Sequence, residues 1–447
     1  MKTAIFLSVM AFFAVSSGAQ ENQLQAEFRQ EFTELNDTCV HGGFKGLLGC
    51  GQTMVMGKPL HLAPGSIAPQ NGFSVGPAFT HETNYTSGWT LKYNADAVVS
   101  TNQSLRAGLY MKAIPKEWQW TGDKKPIFNF YSQYTSLNKI FYFGPEPVAS
   151  RALQTFFGMT ESVSGANAII PTASPFSFYG EINVRTVDIR GRHGDTSPST
   201  EQLFNDANTP GLTTQPTFIQ FGERIRFKPK LPAGIRLDYS ATLQHYHAVG
   251  DSRFSFRRFT LDFDHQIPLH QKQTTVSEGS ESASGPDEIR DKVAGAPELK
   301  SVTTNTTGSV GFRALIVGSV AGGGSVVPFY FQPTLGGSDI NGEKGLASYP
   351  DYRFRAPNLM LLRANVEHSL YWIFGLTAAV DVGKAAATRN DLDFTHLRHS
   401  YSGGITIRAG NLPQVSLVFA WGGREGTHTI GYINPALLGT SGRPSLY

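Results

Sequence analysis

Charge is scarce in this chain. Lys, Arg, Asp and Glu together make up 16% of 447 residues, against roughly 25% in an ordinary soluble domain. The balance is close to neutral at +3, which leaves no electrostatic footprint for nucleic acid. Cysteine is nearly absent: Cys39 and Cys50 are the two present. With His41 alone beside them they make a poor zinc site. Their closeness in an exported chain favours one disulfide. Long apolar runs are also missing. After the first residues, nothing approaches the roughly 20 apolar residues of a membrane helix.

Catalytic signatures are as thin. Gly318-Ser319-Val320-Ala321-Gly322 lacks the spacing of a nucleophile elbow. No H-E-x-x-H, phosphate loop or CxxC occurs. His245 and His247 continue an apolar row past Leu243 and read as interfacial residues. Asp262, Asp264 and His265 cluster on another strand, where the two aspartates belong to the polar face. No enzymatic activity, cofactor or metal is expected.

What the chain has is alternation. Aromatics reach 12% and glycine 47 residues, and from Gly72 apolar and polar residues take turns almost without a break. Leu91, Tyr93, Ala95 and Ala97 oppose Lys92, Asn94 and Asp96. Leu237, Tyr239 and Ala241 oppose Arg236, Asp238 and Ser240. Successive side chains of a strand point to opposite faces, so each strand has one apolar and one charged side. The runs extend over about 9 to 15 residues, as a tilted membrane strand requires. Soluble sheets use about 5 to 6. Mixed charges on the second face suit a water-filled lumen, and Trp89, Trp118, Trp120, Trp372 and Trp421 fall near strand ends as girdle residues.

The expected fold is all-β: a single antiparallel transmembrane β-barrel of about 16 strands, with a short N-terminal periplasmic or plug segment. About fifteen strands are counted directly, and either Ile127–Gly144 or Val326–Pro333 hides the next. Residues 1–19 read as a signal peptide, with Lys2, an apolar run and Ser17-Gly18-Ala19. Residues 20–71 carry an amphipathic helix over Gln23–Leu35 and a disulfide-closed loop, and 72–447 form the barrel. Within it, 270–307 is polar and without periodicity, and is expected to be disordered or loosely ordered. Residues 335–357 form a long in-folding loop.

The stretch around that loop resembles the bacterial surface antigen family, the outer-membrane barrels of BamA/TamA and two-partner-secretion type, in a short form without tandem periplasmic domains. Leu335-Gly336-Gly337, the run from Tyr349 through Arg353 to Arg355, Asn365-Val366-Glu367 and Val380-Asp381-Val382-Gly383 carry the resemblance. It implies a loop arginine that reaches a luminal aspartate at Asp381. Neither register of the loop has that arginine, so Arg353 or Arg355 is the expected substitute, with Glu367 as a second luminal carboxylate; the alternative is that both simply start the next strand and pair with solvent. The resemblance implies surrounding outer-membrane lipid, periplasmic or lipoprotein partners and a monomer. It also implies help with outer-membrane assembly or with protein or lipid translocation. The alternative is a passive pore or structural barrel that has lost that activity.

Overall fold

In the computed structural model, residues 23–40, 50, 54, 59–116, 125–172, 175–191, 198–229, 231–277, 300–371, 373–409, 412–423, 425, 427–433, 444 and 446 are described. The signal-peptide stretch 1–19, Trp118, Trp120 and Trp372 lie outside them.

Alternation becomes an antiparallel wall. After β1 (Leu60–Leu62), β2 (Ser74–Val75) and β3 (Pro77–Asn84) come β4 (Trp89–Ser100), β5 (Leu105–Pro115), β6 (Ile127–Tyr142) and β7 (Thr155–Pro171). Next are β8 (Phe176–Gly191), β9 (Thr217–Phe227), β10 (Arg236–Val249), β11 (Phe256–Ser277) and β12 (Lys300–Ala321). Two short strands, β13 (Thr334–Gly336) and β14 (Arg353–Arg355), form a separate hairpin. The wall resumes with β15 (Asn358–Tyr371), β16 (Phe374–Ala386), β17 (Arg398–Ala409), β18 (Leu412–Trp421) and β19 (His428–Ile433).

The main sheet has 17 strands. β2 and β3 run along β4 in one register, Val75 opposite Val99 and Ala78 opposite Asp96, so they are two parts of one strand. The wall is therefore sixteen strands wide, as the alternation predicts. The hidden strand is Ile127–Tyr142; Val326–Pro333 instead enters a buried turn at Phe329–Phe331. The first strand precedes the expected start at 72, because β1 pairs with β3. Among the described residues no ladder joins β19 to the β1–β3 edge. Curling of the wall is seen in cross-links between distant connections: Arg398 reaches Glu146 at 3.0 Å, and Arg353 reaches Glu425 at 2.7 Å.

The outer face is the apolar one. Leu109, Ile182, Ile225, Val380 and Leu417 are all exposed there. An aromatic row crosses four strands at one level: Phe176 to Phe227 at 5.0 Å, Phe227 to Tyr239 at 6.1 Å, Tyr239 to Phe263 at 5.3 Å. Trp89 opens β4 beside Phe128, and Trp421 closes β18 beside Tyr401. Such bands mark the two interfaces of a membrane-spanning wall.

Inside, one expectation fails. The polar face of β7–β9 is packed rather than open to water: Glu161 and Arg185 are 1% exposed and paired at 2.6 Å. Asn183, Gln220 and Glu181 continue the network by hydrogen bonds. Long polar side chains facing each other across a crowded concave surface satisfy one another there.

The polar stretch 270–307 also departs from expectation. β11 and β12 stay in one register down to Ser277 opposite Lys300. Thr274, Thr275 and Val276, with Val302, Thr303 and Thr304, are β-branched and suit a strand despite lacking an apolar face. Its tip, 278–299, is outside the described residues.

Helix α1 (Gln23–Leu35) forms where predicted. It acts as a strut at the sheet edge: Glu27 meets His81 of β3 at 2.8 Å, and Glu31 accepts from the Leu60 amide at 3.0 Å. Beyond it Cys39 and Cys50 are joined.

Candidate functional site

The connection from β12 to β15 folds back over one end of the wall. It begins with an aromatic turn. Phe329, Tyr330 and Phe331 are 1–2% exposed and dock against rings from the strand ends: Phe329 on Phe157 at 5.0 Å, Phe331 on Phe218 at 5.0 Å and on Tyr246 at 5.1 Å. Burying such rings removes large apolar areas from water, and offset and edge-to-face contacts add to that.

The β13–β14 hairpin follows, and here the quoted motif residues gain physical reasons. Gly337 has φ +61°, and a side chain on it would strike the backbone of Asp351. That position needs glycine. Leu335 is 2% exposed and packs with Leu346, Tyr349 and Phe354. It also lies against Gly383 of β16, where an added Cβ would be 3.1 Å from the Leu335 side chain. The first leucine of the loop motif and the glycine of the strand motif therefore meet, the glycine giving the close approach. Gly336 faces Arg353 across the hairpin.

Asp381 is 1% exposed and is held by Arg363, Nε to Oδ1 at 2.6 Å and Nη2 to Oδ2 at 3.1 Å. This corrects the expectation: the arginine comes from the wall, since Arg363 stands directly opposite Asp381 in the β15–β16 ladder. Arg363 Nη2 also donates to the Gly345 carbonyl of the loop at 3.0 Å. Next to it, opposite Arg363 on β12, Arg313 takes Asp262 with two bonds of 2.9 Å and Glu343 of the loop at 3.2 Å. Two wall arginines thus hold the loop at Glu343 and Gly345. Between these, burial and the neighbouring Arg363 push Lys344 down to about 8, against the pull of Asp381.

Arg353 and Arg355 are both buried but go elsewhere. Phe354 between them has φ +58°, so the segment is not the plain extended strand that would aim both toward Asp381. Arg353 binds Glu425 and the Ala149 carbonyl, with Phe143 and Phe354 under its guanidinium. Arg355 donates to the carbonyls of Phe329 and Gln332. Tyr349 packs edge-on to Phe354 at 4.8 Å. Glu367 stands opposite Ser309 and Thr377 on the wall, away from the Asp381 pair.

The loop reaches most connections at its end. Tyr352 donates to the Pro69 carbonyl, Phe329 N–H to Pro210, Val326 N–H to Arg253, and the Leu446 amide to Asn341.

No protein-family model matches the chain, and no curated protein matches it. Solved structures do. BamA from Haemophilus ducreyi lacking POTRA domains 1–3 has a TM-score of 0.49 at 11% identity, over 84% of this chain and 70% of that one. CdiB from Escherichia coli has a TM-score of 0.48 at 10% identity, over 83% of this chain and 61% of that one. CdiB from Acinetobacter baumannii has 0.44 at 11% identity, over 82% and 58%. These three structural neighbours are BamA and CdiB barrels. The chain spans about three-fifths of the two CdiB chains.

Proposed function

We propose that this chain is an outer-membrane barrel, closed by its own loop, that assists the assembly or translocation of protein or lipid at the membrane rather than conducting solutes. One observation carries the reading: a single in-folded loop, held by Arg313 and Arg363 from the wall, packs an aromatic turn across one end. A passive pore needs a continuous water path, and a dry aromatic cluster is a barrier to it. Short connections such as 372–373 would face the periplasm and the long loops the outside, the arrangement of outer-membrane barrels. At the edges of the wall β1 has three residues and β19 six. A client strand would add to the outer edge of β19, which no described strand pairs, each new ladder bond being worth about 1 kcal/mol net.

The test is client insertion. Purified protein in liposomes is mixed with a urea-unfolded outer-membrane barrel, and folding of the client is followed by gel mobility. The reading expects faster insertion than into empty liposomes or liposomes holding an unrelated barrel. Equal rates in all three would leave a structural barrel.

A further inference from the structure

Helix α1 has three faces with three different surroundings. Leu24, Glu27, Glu31 and Leu35 are the less exposed residues and mark the side against the barrel. About 80° further round at 100° per residue, Phe28 and Phe32 stand out, 38% and 75% exposed. Gln25 borders Phe32, and the remaining arc holds Ala26, Arg29, Gln30 and Thr33, all exposed.

The contact side is tied to a defined part of the wall. Pro59, Ala63 and Gly65 exchange backbone bonds with the β2–β3 strand. Alternation then points the Leu60 N–H away from that strand, toward the edge of the sheet that no described strand pairs. The Glu31 carboxylate takes it at 3.0 Å. Glu27 reaches His81 at 2.8 Å, and His81 lies in the outward row with Phe79 and across from Tyr93. The helix thus lies at the sheet edge, toward the hairpin-turn end of β3, level with outward-facing side chains.

We propose that α1 is an interfacial strap: it caps the sheet edge at Leu60 through Glu31, while Phe28 and Phe32 enter the lipid of the adjoining leaflet. Through Glu27 the helix meets the outward row of the wall at His81, its aromatic side is exposed, and Gln30 lies about 160° round from Phe32. A helix with one side on protein, one apolar side and one polar side fits the membrane–water boundary. A helix plugging the lumen would have no use for two outward phenylalanines. Capping the edge with a carboxylate also denies it to a second β-strand. The inference rests on the wall spanning a membrane, but not on client insertion.

The test uses the full chain in phospholipid vesicles, with variants first shown to keep heat-dependent gel mobility. Phe32→Trp and Gln30→Trp each add one indole, read as the difference from the parent spectrum. Lipids spin-labelled near the headgroup should roughly halve the emission added at position 32 and leave that at 30 unchanged, while aqueous acrylamide does the reverse. Emission at 32 quenched by acrylamide and indifferent to labelled lipid would overturn the lipid contact. Glu31→Ala should speed hydrogen exchange at the Leu60 amide about tenfold. Unchanged exchange there would overturn the edge cap.

Discussion

Arg363 holds a buried carboxylate and a loop carbonyl with one guanidinium. The planar fork allows this, since two nitrogens match the carboxylate and a further N–H is left for the backbone. Removing either partner strands the other in a site where Asp381 is 1% exposed. Asp381→Asn and Arg363→Gln should each cost about 3 kcal/mol, with a coupling of about 1 to 3 kcal/mol in the double variant. Guanidinium unfolding in detergent measures it. The same cycle with Arg353→Gln should be additive, because Arg353 belongs to Glu425. Coupling of Asp381 to Arg353 instead of Arg363 would reverse the assignment.

The loop is the element whose seating is expected to respond to pH, through Lys344. Lys344 sits between the two wall contacts, pushed down to about 8 from an ordinary value of 10.5. Its charged form is disfavoured in the folded loop, so below about pH 8 the penalty is present in full. Between 8 and 10.5 the folded amine is neutral while an unfolded chain would still be protonated, and stability rises with pH. Lys344→Met should therefore be more stable than the parent by about 1 to 2 kcal/mol at pH 7. The gap should close by pH 10.5, read from denaturation midpoints at both pH values. A constant gap would mean the amine is solvated.

At this scale much of the fold was legible and much of the site was not. Period-two alternation carries the wall because membrane strands are long and one-sided, and Gly337 and Gly383 announce close packing. The Arg363–Asp381 pair was also within reach: folding β15 and β16 about residues 372–373 nearly brings them into line. Arg353 and Arg355 could not be placed, since a positive φ at Phe354 follows from tertiary packing rather than from any local pattern. The strand character of 270–277 and 300–307 was hidden because polar β-branched residues alternate without an apolar row.

The molecule as a whole is a wall sixteen strands wide with its longest described connection folded over one end. Aromatic packing on one side of that end and arginine clamps on the other make the loop part of the folded core rather than a flap. The most direct measurement is conductance across a planar lipid bilayer. The parent protein should show a closed baseline. A variant with 327–331 replaced by a glycine–serine run should show long-lived openings. Steady open current from the parent, unchanged in the variant, would contradict the account and make the chain a passive pore.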